Sequence, residues 1–193
     1  DLMGFFTRAL PVRVHAEAMS DAGMYRGDNV LVTVRYADGS VGSLSYLACG
    51  DAALPFAWNA VTFPVQRYAW FALRDPRALR HTVLWISNGG RHYAPWNGRH
   101  TGVMGIEDIT GYFHLGLAES VRANPLSRRG IPTTVRLNPR QPTVVNYIMG
   151  AVELPVGFDR VADIRAAKNG IELVAASGKR ARAEVDLAWL GGS

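Results

Sequence analysis

Residues 29–47, NVLVTVRYADGSVGSLSYL, decide the fold class of this chain. Val30, Val32 and Val34 alternate with polar neighbours, and the alternation resumes over 41–47 after Ala37-Asp38-Gly39-Ser40. A period of two puts the apolar side chains on one face of an extended strand. Asp-Gly between two such runs supplies the left-handed residues that a tight hairpin needs. Upstream, Val12, Val14 and Ala16 alternate with Arg13, His15 and Glu17, which predicts a half-buried strand. Before it, Leu2, Met3, Phe5, Phe6 and Leu10 share overlapping helical faces until Pro11 ends the run. Residues 1–54 therefore read as helix, strand and hairpin.

Downstream, 51–64 is irregular, contains Pro55 and Pro64, and reads as the junction to a second unit over 55–193. Short apolar runs rich in valine, isoleucine and threonine then recur at 68–73, 82–87, 133–137, 143–153, 160–165, 171–175 and 181–187. Only 116–123 looks helical. The expected fold is mainly β: an antiparallel β-sandwich (a partial supersandwich) with a short N-terminal helix and hairpin. Pro132, Pro139, Pro142 and Pro155 mark strand starts or edges, because proline removes a ladder donor. The run 143–150 behind Pro142 is the best candidate for a central strand.

Composition narrows the function classes. Of 193 residues, 48% are hydrophobic and 19% charged, as in ordinary globular domains. No apolar run approaches the ~20 residues that span a bilayer, so no membrane partner is expected. The opening residues carry no basic start or apolar h-region. The single cysteine, Cys49, excludes an internal disulfide and reads as a small filler at a strand end. Together these features fit a reducing, cytoplasmic setting. The net charge of +5 comes almost entirely from arginine, with lysine only at Lys168 and Lys179. The arginines are scattered, clustering briefly at Arg128 and Arg129 and at Arg180 and Arg182, with no basic helix or aromatic-studded motif. No nucleic-acid partner is expected.

The densest chemistry lies at 84–114, LWISNGGRHYAPWNGRHTGVMGIEDITGYFH. Glycines and Pro95 place its polar groups at strand ends and turns, where side chains converge on ligands. Glu107, flanked by Ile106 and Ile109, is expected to be semi-buried, and desolvation would raise its proton affinity into the range of a general base. The plainer reading is an ion pair with Arg91 or Arg99. His92, His100 and His114 are candidates for an acid or a sugar hydrogen bond, and His92 and His100 flank the Tyr93-Ala94-Pro95-Trp96 turn. Each also reads plainly as structural or exposed, while His15 and His81 read as surface residues.

Trp96 and Trp85 offer faces on which a pyranose stacks, although Trp85 sits in an alternating strand and reads first as core. Arg91 and Arg99 would clamp hydroxyls or a carboxylate, or brace the loop through Asp108. Asn88-Gly89-Gly90 is a tight turn first and a ligand-approach site second. His92, His100, Glu107 and His114 also compose a three-nitrogen, one-oxygen metal set of cupin-like type. Their spacings of eight and seven residues match no usual ligand pattern, so neither metal nor other cofactor is expected.

The stretches 84–100, 105–114, NPLSRRGIPTTVRLNP at 124–139 and PTVVNYIMGAVELPVGFDRV at 142–161 resemble the galactose mutarotase-like (aldose 1-epimerase) superfamily over about 64–193. The resemblance implies a β-supersandwich in which the glutamate matched by Glu107 draws a proton from the anomeric hydroxyl. His92, ahead of His114, is the candidate to protonate the ring oxygen, since the family's own acid-bearing strand has no clear counterpart.

Residues 1–54 resemble instead the C-terminal domain of the glucose-fructose oxidoreductase and inositol dehydrogenase family. No G-x-G-x-x-G or Glu-Lys-Pro motif is present, so dinucleotide redox chemistry is not expected. A fusion, a fragment and a compact rearranged protein all fit this pairing. The expectation is a sugar-binding or sugar-isomerising protein whose partner is a small-molecule sugar. Catalytic candidates are Glu107, His92 and His114; Arg91, Trp96, Arg99, His100 and Asn88 would bind substrate. The alternatives are a non-catalytic sugar-binding module, a homo-oligomerising one related to the oxidoreductase C-terminal domain that uses the sheet of 29–48, or a fragment of such a domain.

Overall fold

Strands β4 (Ala57–Phe63) and β5 (Tyr68–Arg74) are buried on both faces, and the molecule is organised around them. The computed structural model describes residues 11–19, 29–36, 41–47, 54–88, 92–99, 101–112 and 115–191, with side chains for 54–84, 92–99, 104–112 and 115–191. The two strands pair antiparallel from Ala57↔Arg74 to Phe63↔Tyr68. The turn between them is unusual in placing Arg67, a non-glycine residue, at φ 59°. Its conformation is held by Leu154, whose N–H donates to Arg67 O at 2.8 Å, and by the Arg67–Glu153 ion pair at 3.0 Å.

Alternation sorts the buried side chains into two clusters. Ala60, Ala69, Phe71 and Leu73 point one way and join Leu154, Phe158, Val161, Ile164, Ile171, Leu173 and Ala181. Val61, Phe63, Trp70 and Ala72 point the other way and join Met104, Leu84, Ile106 and Tyr147. Covering both faces erases the polar half of the usual pattern, which is why β4 looks irregular in sequence. Its two buried polar residues face opposite ways: Thr62 Oγ1 accepts the Val161 N–H at 3.0 Å, and Asn59 reaches Asp108.

Among the described residues three antiparallel sheets result. The largest runs β1 (Pro11–Met19), β2 (Asn29–Tyr36), β3 (Val41–Leu47), β4, β5 and β8 (Tyr147–Glu153) in that order. The expected β2–β3 hairpin is present, paired from Arg35↔Val41 to Asn29↔Leu47. Because β3 also pairs with β4, the sheet continues across the expected junction at 54/55. A two-stranded sheet joins β6 (His81–Asn88) to β7 (Thr101–Ile109). The third sheet contains β9 (Val161–Ala167), β10 (Gly170–Ala175) and β11 (Arg180–Glu184), with β10 central. Among the described residues one short α-helix, α1 (Gly116–Val121), falls within the expected 116–123.

Two strand expectations need correction. Residues 133–137 are in no strand and pair with no other strand among the described residues, and 143–146 are likewise outside any strand, so β8 begins only at Tyr147. The expected central strand is therefore shorter, and it ends the six-stranded order instead of occupying its middle. Three prolines in 132–142 remove the donors that pairing would use. The N-terminal helix expected over 1–10 lies outside the described residues.

Candidate functional site

The chain brings its candidate polar groups together in two places, at opposite ends of the β6–β7 hairpin. The first is the turn at 92–99. Tyr93 O accepts the Asn97 N–H at 3.0 Å, and Trp96 O accepts the Arg99 N–H at 2.9 Å. Ala94–Pro95 is cis, and Asn97 and Gly98 adopt φ 46° and 69°, a conformation that asparagine and glycine tolerate best. The backbone so folded stands Tyr93 edge-on to Trp96, with ring centroids 5.2 Å apart at 74°. Tyr93 is 62% exposed and Trp96 half-buried. His92 and Arg99 are exposed on the same turn, and the His92 ring lies over Gly98.

The second assembly is centred on a buried ion pair. Asp108 on β7 accepts from Asn59 Nδ2 at 2.8 and 2.9 Å, from the Thr82 hydroxyl at 2.6 Å and from the Tyr147 hydroxyl at 2.7 Å. Arg74 Nη1 sits 2.9 Å from its Oδ1 in an ion pair whose side chains are 0% and 2% exposed. Arg74 also donates to Thr82 Oγ1 and to Leu79 O. Five strands thus contribute to one network, which ties the β6–β7 hairpin to β4, β5 and β8. Burial, reinforced by the adjacent Asp108 charge, pushes the Tyr147 phenol above its ordinary range, so it remains a hydrogen-bond donor.

Glu107 is exposed, not semi-buried, and makes no ion pair with Arg99 among the described residues. Strand parity explains this. Met104, Ile106 and Asp108 share the inward face of β7, which leaves Glu107 opposite Val83 on the outer face. It also lies six residues along β7 from Thr101, or roughly 20 Å from the turn at about 3.3 Å per residue. A proton donor and acceptor serving one sugar ring must each approach to about 3 Å, so His92 and Glu107 are not brought to a common point. Asp108 is braced by Arg74 and not, as the loop-bracing reading had it, by Arg99. Arg91, His100 and His114 lie outside the described residues, and of Asn88 only its place in β6 is described.

The buried network is what sequence reasoning missed. Its signal is the set of polar residues, Asn59 and Arg74, interrupting otherwise apolar buried strands. Among the described residues no group of three or more metal-ligating side chains converges. No helix among them is long and apolar enough to cross a membrane.

His81 departs from its surface reading, since it is only 7% exposed, and neither ring nitrogen has a hydrogen-bond partner among the described residues. Burial, then the Arg80 and Arg74 charges, lowers its pKa from the ordinary 6.5. The unfolded chain therefore takes the proton first. Stability is full above the unfolded pKa and falls as pH drops through it toward the lower folded value. A urea midpoint that declines between about pH 7.5 and pH 5, and declines less in His81→Gln, is the expected result. Parallel pH curves for the two proteins would assign the decline to other groups.

No family model matches the chain, and no curated protein or solved structure matches it either.

Proposed function

We propose that this chain recognises a carbohydrate through the turn at 92–99, binding it without converting one anomer into the other. The observation that carries the reading is the Tyr93–Trp96 pair, exposed at Tyr93 and half-buried at Trp96, edge to face on one turn and flanked by exposed His92 and Arg99. Aromatic faces accept the C–H side of a pyranose, while guanidinium and imidazole donors meet its hydroxyls. The separation of Glu107 from this turn favours recognition over the acid–base isomerisation that the aldose 1-epimerase resemblance implies. A mutarotase-like β-sandwich over 55–193 belongs to the same proposal, supported by the two apolar clusters on opposite faces of β4 and β5.

Titration with galactose, glucose and their oligosaccharides, followed by the Trp96 indole resonance in NMR, tests the reading. An open surface of this kind predicts binding near the millimolar level, about −4 kcal/mol. Trp96→Ala should weaken it about tenfold, near 1.4 kcal/mol, in line with the loss of one stacking face. Polarimetry should give anomer exchange at the buffer rate, unaltered in Glu107→Gln. An unmoved indole resonance at high sugar concentration overturns recognition. Exchange faster than buffer that Glu107→Gln abolishes would replace recognition with catalysis.

A further inference from the structure

Between Glu119 and Glu153 the chain carries five arginines and neither aspartate nor glutamate, so this stretch alone equals the net charge of the whole protein. Within it, Ile131 and Thr133 are buried at one end, with the Thr133 hydroxyl donating to Ser120 O at 2.7 Å. At the other end, Asn146 Nδ2 donates to Trp189 O at 2.6 Å and β8 begins. Between these anchors all twelve residues of 134–145 are exposed. They form neither helix nor strand either side of a turn in which the Gln141 N–H donates to Asn138 O. An excursion of this length without secondary structure is uncommon in a compact domain.

Three features of the excursion converge on one kind of occupant. Residues 134–137 and 143–145 make no backbone hydrogen bond among the described residues, so their N–H and C=O groups are available. Val135, Leu137, Val144 and Val145 are 51, 69, 72 and 45% exposed, with Arg136 alternating between the first two. The side chains of Arg128, Arg136 and Arg140 have no carboxylate partner among the described residues. Exposed backbone with unused pairing groups is what strand addition requires, and alternate apolar residues then give specificity. No aromatic residue occurs from 115 to 146, so the stacking platforms that single-stranded nucleic acid uses are absent from this stretch.

We propose that 134–145 is a docking edge for an acidic polypeptide segment. The segment adds to it as a strand, its apolar residues against Val135, Leu137 and Val144 and its carboxylates against Arg136 and Arg140.

The test uses the whole chain and a short fluorescein-labelled peptide of alternating glutamate and valine, read by fluorescence anisotropy. The peptide should bind, and a lysine–valine peptide should not. Affinity should fall steadily with added salt as the charges are screened. The double variant Arg136→Glu, Arg140→Glu should weaken binding at least about tenfold with an unchanged circular dichroism spectrum, since both side chains are exposed. Val144→Pro, which removes a backbone donor, should also weaken binding while leaving the salt dependence in place. Equal binding of the two peptides overturns the proposal, as does tighter binding of oligo-dT. So does concentration-dependent dimerisation that the arginine variants abolish, because the occupant would then be a second copy of the chain.

Discussion

Asp108→Ala is expected to destabilise the protein by about 3–5 kcal/mol, the range seen when one member of a buried ion pair is removed. The cause is what the substitution leaves behind. Arg74 is fully buried, and without Asp108 its charge has no carboxylate partner within the network described above. Asn59 Nδ2 and the Tyr147 hydroxyl lose their acceptor at the same time. A urea denaturation midpoint reports the loss, and Glu107→Ala one residue earlier provides the control. That exposed carboxylate should change stability by no more than about 0.5 kcal/mol. Comparable effects at 107 and 108 would mean that the two faces of β7 have been assigned the wrong way round. Replacing the pair together, Arg74→Met with Asp108→Leu, should recover much of the loss. The cost lies in an uncompensated buried charge, and apolar replacement of a whole buried pair is often neutral.

Gly170→Ala should cost about 3 kcal/mol or more, from backbone strain and overpacking acting together. Gly170 opens β10 at φ 147°, and a Cβ there would lie 2.2 Å from Ala183 O and 2.7 Å from Val185 N. Both are backbone atoms of the partner segment, so no side-chain rotation relieves the clash. The Gly170↔Glu184 end of the β10–β11 ladder must open, which disturbs the sheet that carries Ile171, Leu173 and Ala181 into the core. Gly178→Ala separates strain from collision. Its φ is 82°, but a Cβ would meet nothing within 4 Å, so only about 1 kcal/mol is expected. Native-state hydrogen exchange at Ile171 and Leu173 should accelerate in the Gly170 variant and stay near wild type in the Gly178 variant. Similar exchange in both variants would show that the backbone contact does not limit β11 docking.

The parts of the fold that were legible in sequence are those where one physical signal dominates. Val30, Val32 and Val34 face a matched run across Asp38-Gly39, and the β2–β3 pair follows. Strand β4 was not legible because both its faces are covered, leaving no polar side to read. Residues 133–137 have strand composition but no partner strand among the described residues, and composition says nothing about whether a neighbour exists. At the site, the resemblance directs attention to Glu107, yet the parity of Met104, Ile106 and Asp108 already puts the neighbouring carboxylate on the inner face. Arg74, closing the apolar run YAWFALR, is the matching clue on β5. What no local pattern could supply is the meeting of Asn59, Arg74, Asp108 and Tyr147, whose strands are distant in the chain.

The seam between β5 and β8 also bears on how the protein is made. Tyr68 pairs with Glu153 and Arg74 with Tyr147, so one edge of β5 waits for a partner that is synthesised much later. At about 5–20 residues per second, the ribosome leaves that edge bare for several seconds after the β4–β5 ribbon emerges. An uncovered edge flanked by Phe71 and Leu73 is a template for neighbouring nascent chains. Crowded polysomes would therefore be the place where this protein most needs a chaperone.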